Sequence, residues 1–280
     1  MSELEVLHPF FALVSFLLGS IIGSFLNVVV YRMPRGLSVV KPRSKCPNCE
    51  KPVMWYDNVP VFSWLLLRAK CRFCGEPISW QYPLVEGITG LLFLGVYLRF
   101  GFTLATPIYM LLVAGLVVVT FVDLVDWTIP NEITYPGIPL GIVCAGLATI
   151  YPASNLQLQS IVSSVAGAAM GYLLLKGLDM FSLIAFKKHG MGMGDWKLMA
   201  MLGAFFGFAN TILIIALSSF VGIALASPMI YQKYFGGDED ENPMYLPFGP
   251  SIAIADIIAI FCGPQLIQGY LEFVGAVPQG

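Results

Sequence analysis

Four cysteines stand in two Cys-x-x-Cys pairs, Cys46 with Cys49 and Cys71 with Cys74, with 21 residues between the pairs. Four thiolates at this spacing, close to that of zinc ribbons, can close a tetrahedral zinc site. Because four sulfur ligands leave no open coordination position, such a zinc would organise the chain rather than hydrolyse a substrate. The alternatives are disulfides, which a reducing cytosol disfavours, or a redox pair, which lacks a thioredoxin-like unit around it.

Two aspartates border long apolar runs. Asp123 lies in Phe121-Val-Asp-Leu-Val-Asp-Trp-Thr-Ile-Pro-Asn131, and Asp195 lies in Gly190-Met-Gly-Met-Gly-Asp-Trp-Lys-Leu198. Ionisable residues at the edge of a membrane span are costly, so each is a candidate functional residue. Two carboxyls that converge can share one proton and activate a water molecule, which is the chemistry of aspartic proteases. The glycines ahead of Asp195 would let the backbone approach a substrate strand closely.

Helix ends predict different roles for the two acids. Asp195 opens a helix, where the macrodipole favours an anion, whereas Asp123 closes one, where it does not. We therefore expect Asp195 to be the base and Asp123 the protonated acid. Asp126 shares a helix face with Asp123 if the helix continues that far, and we expect it to shape the local field or cap the turn before Pro130.

The other charged residues in apolar runs are expected to be structural. Lys176 and Asp179 are spaced i, i+3 and should neutralise each other. Glu86 and Asp256 have no visible partner, and Cys144 and Cys262 fit as small packing residues. No internal repeat is evident.

Composition places these residues in a membrane protein. The 280 residues are 57% hydrophobic and only 11% charged, which leaves too few charges to cover a water-soluble surface. Nucleic acid is not expected as a partner. Most apolar stretches approach the ~20 residues that cross a bilayer. They are eight: 10–31, 83–100, 104–124, 132–151, 158–186, 196–209, 211–231 and 250–273. The sixth and seventh run together near Gly207 to Asn210, so one long re-entrant or broken element is the alternative.

Basic residues predict the orientation of the chain in the membrane. Nine of the fifteen lysines and arginines fall in the hydrophilic insertion between the first two stretches. Loops rich in Lys and Arg stay in the cytosol, so the insertion should be cytosolic and the N-terminus outside. Eight spans then place Asp123 and Asp195 at the same, cytosolic, membrane face. The nine residues are Arg32, Arg35, Lys41, Arg43, Lys45, Lys51, Arg68, Lys70 and Arg72.

Several motifs together resemble the bacterial type IV prepilin peptidase family, over nearly the whole chain. They are Gly23-Ser-Phe-Leu-Asn-Val-Val-Val-Tyr-Arg-Met-Pro34, the Asp123 segment ending in Ile-Pro-Asn, the run from Gly192 to Gly203, Tyr56 to Trp64, and Gly75 to Glu86. The Gly-x-Gly-Asp element alone is also similar to that of presenilin-type proteases. The resemblance implies that Asp123 and Asp195 are the catalytic aspartates, and it favours Asp123 over Asp126.

The resemblance also implies a second activity. In that family the four-cysteine loop belongs to bifunctional enzymes that N-methylate the residue exposed by cleavage, with S-adenosylmethionine as the donor. The implied substrates are type IV prepilins or pseudopilins, cleaved after a glycine at the bacterial inner membrane. No nucleotide site is visible in the residues, because the Gly190 to Gly194 glycines follow a span and do not complete G-x-G-x-x-G.

The sequence therefore predicts an all-α polytopic membrane protein with about eight transmembrane helices and a small zinc-binding cytosolic loop domain. The expected domains are a first transmembrane helix at 1–31, a four-cysteine domain at 32–82 and a peptidase domain at 83–280. The alternative is a non-catalytic membrane assembly protein that docks cytosolic partners through the zinc loop. That alternative leaves the two aspartate motifs unexplained.

Overall fold

The computed structural model describes residues 3–151, 154–157, 160–235 and 247–275, and these ranges contain helices but no β-strand. A 3-10 turn covers Trp55–Asn58. The eight α-helices, in chain order, are α1 Glu3–Arg32, α2 Phe62–Leu66, α3 Gln81–Phe100, α4 Ala105–Asp126, α5 Asn131–Ile150, α6 Ile161–Phe186, α7 Met193–Phe235 and α8 Gly249–Phe273. Seven of them, all but α2, contain a stretch long and apolar enough to cross a membrane. The prediction of an all-α membrane fold is confirmed.

Helix α7 contains both the sixth and the seventh apolar stretch, and it is broken at Gly207, where φ is 73° and ψ is −179°. Just after the break, Asn210 lies beside Gly263 in the second half of α8, whereas further along Gly222 lies beside Phe248, which directly precedes α8. The part of α7 after Gly207 therefore runs antiparallel to α8. A positive φ at the break suits glycine, which has no Cβ to clash with the backbone.

The part of α7 before the break packs closely on α6 through small residues. A Cβ atom on Gly167 would lie 2.5 Å from the carbonyl oxygen of Gly203, and one on Gly171 would lie 2.7 Å from that of Met199. Small residues allow two helices in a membrane to approach at backbone distance. Residue numbers ascend along α6 while those of their contacts descend along α7, so these two segments are also antiparallel.

Helix α7 reverses its direction at Gly207. The starts of α7 and α8 lie at the same end of the helices, because Asp195 and Gly249 both lie close to Asp123. The part of α7 after Gly207 runs antiparallel to α8, so it must run back toward this end. The eight predicted stretches therefore correspond to eight helical segments.

By its contacts the chain divides into two compact units, Met1–Val122 and Asp123–Gly280. In the first unit, α1 packs on α3 at glycine positions. A Cβ on Gly19 would lie 2.7 Å from the carbonyl oxygen of Thr89, and one on Gly23 would lie 2.8 Å from the Cα of Glu86. The segment between these two helices carries the four cysteines.

Glu86 has partners, contrary to the expectation from the sequence. Its Oε2 accepts a 2.7 Å hydrogen bond from the backbone N–H of Val61, and the Ser24 hydroxyl also hydrogen-bonds its carboxyl. Val61 precedes α2 and has a φ of 60°, which is unfavourable for a β-branched residue. The buried carboxyl therefore anchors a strained part of the loop segment to α3. The sequence could not reveal this contact, because the donor is a backbone group.

Candidate active site and metal centre

Asp123 lies in the last turn of α4, with its side chain almost fully buried. Its Oδ2 accepts a 2.9 Å hydrogen bond from the backbone N–H of Gly249, the first residue of α8. A Cβ atom at position 249 would lie only 2.6 Å from that oxygen. Glycine at this position therefore lets the start of α8 rest directly on the carboxyl group.

Asp195 lies in the first turn of α7 and is equally buried. Its Oδ2 accepts a 3.0 Å hydrogen bond from the backbone N–H of Gly192, and its own backbone N–H donates to the carbonyl oxygen of Gly192 at 3.2 Å. This pair of bonds closes a tight turn ahead of the helix. The turn fixes the direction of the carboxyl group relative to α7.

The two carboxyl groups lie close enough to interact electrostatically. The structure therefore brings together the two aspartates that the sequence indicated, although α4 ends at Asp126 and α7 begins only at Met193. Each carboxyl is buried and accepts one backbone N–H, and each retains oxygen lone pairs for a water molecule. Such a pair has the groups that aspartic-protease chemistry needs. Asp126 is the half-buried last residue of α4, and its expected effect on the local field stays a prediction.

The two carboxyls have similar positions relative to helix ends. Asp123 closes α4, as expected, but its carboxyl also faces the N-terminus of α8 through Gly249. A helix N-terminus favours an anion. Because each carboxyl lies at such a terminus, the helix dipoles do not distinguish the base from the acid.

The Ile-Pro-Asn motif lies against the Gly-x-Gly-Asp motif. A Cβ on Gly194 would lie 2.8 Å from the Cβ of Ile129, so the residue before Asp195 must be small. Lys197 donates a 3.0 Å hydrogen bond from its ammonium group to the side-chain oxygen of Asn131, the first residue of α5. Two of the motifs that carry the resemblance are therefore in direct contact.

Asp179 does not pair with Lys176, contrary to the expectation from their spacing. Its buried carboxyl accepts hydrogen bonds from the Nδ1 of His189 and from the backbone N–H groups of Gly190 and Met191, at 2.9, 2.9 and 3.1 Å. The ammonium group of Lys176 lies over the ring of Tyr172, 5.4 Å from its centroid. The spacing rule considered neighbours on α6 alone, whereas the partners of Asp179 come from the loop that follows this helix.

Asp256 is fully buried in α8, and neither carboxyl oxygen has a hydrogen-bond partner among the residues that the structure describes. This agrees with the absence of a visible partner in the sequence.

The four sulfur atoms of Cys46, Cys49, Cys71 and Cys74 all lie within 4.8 Å of one another. The sulfurs of Cys46 and Cys74 are 3.8 Å apart, and those of Cys49 and Cys71 are 4.0 Å apart. A tetrahedral zinc with Zn–S bonds of about 2.3 Å requires sulfur separations of about 3.8 Å. The cluster therefore has the geometry of a four-thiolate zinc site.

The cysteine pairs sit in two matching turns. The N–H of Cys46 donates to the carbonyl of Lys51 and that of Cys71 to the carbonyl of Glu76, at 3.0 and 2.8 Å. Each turn closes on an isolated bridge, Lys45 with Pro52 and Lys70 with Pro77. The sequence does contain an internal repeat, Lys-Cys-x-x-Cys-x-x-Pro, at 45–52 and 70–77. The expectation of no repeat was wrong, and comparing the residues around the two pairs would have shown it.

The electrostatics of the cluster favour a bound cation. Backbone N–H groups of Cys74 and Phe73 lower the pKa of the Cys71 thiol to about 6, so this sulfur is a thiolate at neutral pH. The backbone N–H of Lys51 lowers the pKa of the Cys49 thiol, but burial and the three neighbouring sulfurs together outweigh it and raise this pKa to about 11. Sulfurs this close disfavour one another's negative charge, and a metal ion between them would relieve that repulsion.

Arg72 ties the second turn to the 3-10 turn. Its Nε donates to both carboxyl oxygens of Asp57, at 2.8 and 3.0 Å, and the Asp57 side chain is nearly buried. The same carboxylate raises the pKa of Arg72. A guanidinium group that binds both oxygens of a carboxylate has a fixed direction, whereas one with a single exposed contact can rotate. The sequence shows Arg72 only as one of the basic residues that predict a cytosolic location.

Comparison with known proteins relates both units to one group of enzymes. The profile described as the bacterial peptidase A24 N-terminal domain matches residues 17–100, and that of the type IV leader peptidase family matches residues 110–227, which include Asp123 and Asp195. No solved structure matches the chain.

Several curated relatives named prepilin leader peptidase/N-methyltransferase match most of the chain. The Myxococcus xanthus protein is 39% identical over 86% of this chain and 70% of the relative. The Stutzerimonas stutzeri protein is 33% identical over 94% of both chains, and the Pseudomonas aeruginosa protein is 35% identical over 96% of both. The chain therefore belongs to the type IV leader peptidase family of multi-pass membrane aspartic peptidases.

Proposed function

We propose that this enzyme removes the basic leader peptide from type IV prepilins or pseudopilins, with Asp123 and Asp195 as its catalytic residues. The observation that carries the proposal is the pair of buried, electrostatically interacting carboxyls, each held by one backbone N–H. The relatives named prepilin leader peptidase supply the substrate class. The alternative of a non-catalytic assembly protein offers no reason for two acids to converge in this way.

The chemistry follows from two carboxyls that share one proton. The ionised carboxyl takes a proton from a water molecule held between the pair, while the protonated carboxyl donates to the oxygen of the scissile carbonyl. The water oxygen bonds to the carbonyl carbon and forms a tetrahedral diol. The diol then collapses and its C–N bond breaks. The carboxyl that took the proton of the water passes a proton to the leaving amine, while the other carboxyl, now ionised, takes a proton from a hydroxyl of the diol. The products are the free leader and a protein with a new amino terminus.

In this proposal the reaction takes place at the cytosolic membrane face of the inner membrane. The basic residues of the segment between α1 and α3 support a cytosolic location for that segment, with the N-terminus outside. A leader that is short, basic and followed by one hydrophobic helix presents its cleavage point at this face. The proposed domains are the first transmembrane helix at 1–31, the zinc domain at 32–82 and the peptidase domain at 83–280.

A second reaction, N-methylation of the new amino terminus, is supported by the names of the relatives. We propose S-adenosylmethionine as the donor, which would supply an electrophilic methyl group. The enzyme must then present the amino terminus in its neutral form, because an ammonium group has no lone pair to form the new bond. The sulfur geometry supports a structural zinc at Cys46, Cys49, Cys71 and Cys74.

Cleavage of a purified prepilin in liposomes tests the proposal. Wild type, Asp123→Asn, Asp195→Asn and the control Asp126→Asn would be compared, with mass analysis of the product for loss of the leader and gain of a methyl group. We expect wild type and Asp126→Asn to cleave, and each of the first two variants to lose cleavage by at least about a thousandfold. Cleavage at near wild-type rate by folded Asp123→Asn or Asp195→Asn would refute the catalytic pair. An unmethylated wild-type product in the presence of the donor would remove the second reaction.

A further inference from the structure

The loop that precedes the Gly-x-Gly-Asp motif is held by two carboxyl groups in succession. The backbone N–H groups of Gly190 and Met191 both donate to Oδ1 of Asp179, at 2.9 and 3.1 Å. The next N–H along the chain, that of Gly192, donates to Oδ2 of Asp195 at 3.0 Å. Three consecutive backbone donors are therefore divided between a buried acid of α6 and a proposed catalytic acid of α7.

The face of α6 that carries Asp179 is shaped to receive this loop. One turn further along, the hydroxyl of Ser182 donates a 3.1 Å hydrogen bond to the carbonyl oxygen of Lys188. A Cβ on Gly190 would lie 3.0 Å from the same hydroxyl oxygen, so the loop passes close to the helix. Asp179 and Ser182 together fix the loop on both sides of His189.

A buried carboxylate with three donors is a strong local constraint. Only 1% of the Asp179 side chain is exposed, and hydrogen bonds to a charged acceptor are shorter and stronger than neutral ones. Burying a carboxylate is costly unless donors compensate it. An apolar residue would serve for packing alone, whereas this carboxylate also accepts the hydrogen bonds that hold the loop.

We propose that Asp179 is a positioning residue of the peptidase site, which holds the Gly190 and Met191 amides so that the amide of Gly192 reaches Asp195. This inference rests on the proposed function for its effect on cleavage. Asp179 acts through the loop and does not touch the substrate. Loss of its acceptor oxygens would release the loop, and the Asp195 carboxyl would then lose a hydrogen bond that orients it. Misplacement of a catalytic group by about 1 Å can cost a factor of 100 in rate.

The test compares Asp179→Ala with Asp179→Asn and with Leu175→Ala in prepilin cleavage. Leu175 lies one turn before Asp179 on α6 and is equally buried. Its apolar side chain accepts no hydrogen bond, so Leu175→Ala leaves a cavity in the same helix without releasing the loop. We expect Asp179→Ala to lower kcat by at least about tenfold with KM within about twofold of wild type. Asp179→Asn keeps an oxygen that can accept both amides, and should stay within about threefold of wild type.

A variant on the loop side keeps the test decisive if Asp179→Ala does not fold. Met191→Pro removes one of the two donating N–H groups, whereas Met191→Ala keeps it. We expect the proline variant alone to lower kcat. His189→Ala should retain cleavage within about threefold, because the His189 side chain is largely exposed and both amide bonds remain.

Amide hydrogen exchange separates failure of this inference from failure of the proposed function. Exchange of the segment from Lys187 to Gly192 should be faster in Asp179→Ala than in Leu175→Ala, whether or not the protein cleaves prepilin. Equal exchange and an equal loss of kcat in those two variants would show a purely structural role. If Asp179→Asn were as inactive as Asp179→Ala, the inference would also be overturned, because an oxygen that accepts both amides would then not be enough for cleavage. An inactive wild type with the expected exchange would refute only the proposed substrate.

Discussion

Gly249 and Asp123 are 126 positions apart in the chain, yet the backbone N–H of the first lies 2.9 Å from the carboxyl oxygen of the second. The first turn of α8 is therefore part of the proposed active site. Its contribution is a backbone donor and a helix N-terminus, both of which favour the ionised form of Asp123. A sequence motif built around an aspartate does not reveal such a residue, because Gly249 contributes a backbone N–H to the carboxyl and no side chain.

Replacing Gly249 with alanine should disrupt the site through one methyl group. The new Cβ would lie 2.6 Å from Oδ2 and 3.1 Å from Cγ of Asp123, so the carboxyl or the helix must move. We expect cleavage of prepilin by Gly249→Ala to fall by about 10- to 100-fold in kcat. Gly269→Ala is the matched control, because it lies in the same helix and its Cβ would meet nothing within 4 Å. Equal cleavage by the two variants would contradict a role for Gly249 at the site.

The two glycines of Gly-x-Gly-Asp should respond differently to alanine. A Cβ on Gly194 would lie 2.8 Å from the Cβ of Ile129, which cannot yield easily, whereas one on Gly192 would make an ordinary contact at 3.5 Å from Asp195. We expect Gly194→Ala to lower both thermal stability and kcat. Gly192→Ala should keep wild-type stability, and any loss of cleavage should appear in KM, as expected if the substrate strand passes there.

Thermal unfolding in detergent and steady-state cleavage of the same preparations measure this difference. Gly177→Ala serves as the control for a helix glycine, because its Cβ would meet nothing within 4 Å. Unchanged stability and kcat in Gly194→Ala would show that the contact with Ile129 is not needed. A loss of stability in Gly192→Ala would contradict the expectation that a methyl group fits beside Asp195 at this position.

Residue type and spacing were sufficient to predict the parts of the site that are local in sequence. Cys46 and Cys71 begin turns of the same length, and Asp123 and Asp195 each stand at the end of an apolar run, so both groups could be found without a structure. The structure shows that the members of each group lie close together in space, which the spacing could only suggest. The four sulfurs lie within 4.8 Å of one another, and the two carboxyls interact.

The contacts that were not predicted involve backbone donors or distant segments. Asp179 has Lys176 as its nearest charge in sequence, but a loop that folds back provides three better donors. Glu86 binds the N–H of Val61 in the same way. Backbone amides carry no sequence signature, so a pattern of side chains cannot locate them. The reversal at Gly207 was ambiguous for another reason, since apolar residues continue on both sides of it.

The zinc site should be separable from the cleavage reaction. The backbone donors to Asp123 and Asp195 lie in the unit Asp123–Gly280, whereas the four cysteines lie in the unit Met1–Val122. We expect the purified protein to bind one zinc ion per chain, and Cys71→Ser to lower its zinc content by at least about tenfold. Cleavage by this variant should stay within about fivefold of wild type.

Metal analysis and the prepilin assay on the same preparation measure both quantities. Cys262→Ser is the matched control, because it removes a thiol from α8 outside the cluster and should leave the zinc content unchanged. A folded Cys71→Ser protein that retains one zinc would refute the four-thiolate site. Complete loss of cleavage on loss of zinc would show that the peptidase site depends on the metal-binding segment.

Glycine at position 50 should strengthen the metal site. Glu50 and Gly75 occupy equivalent positions in the two turns, directly after the second cysteine, and both have a positive φ, 57° and 73°. This conformation costs a residue with a Cβ roughly 1 kcal/mol or more, and glycine adopts it freely. The ion pair of Glu50 with Lys45 is exposed at both ends, so its loss should cost little. Relief of the strain in Glu50→Gly should therefore tighten zinc binding up to about fivefold.

Competition with a chromogenic chelator measures the zinc affinity of these variants. Glu76→Gly is the control, because it removes the same charge from the other turn at a position without a positive φ. The reverse change, Gly75→Glu, should weaken binding by a similar factor. Equal affinities for Glu50→Gly and Glu76→Gly would mean that charge, and not backbone strain, determines the effect.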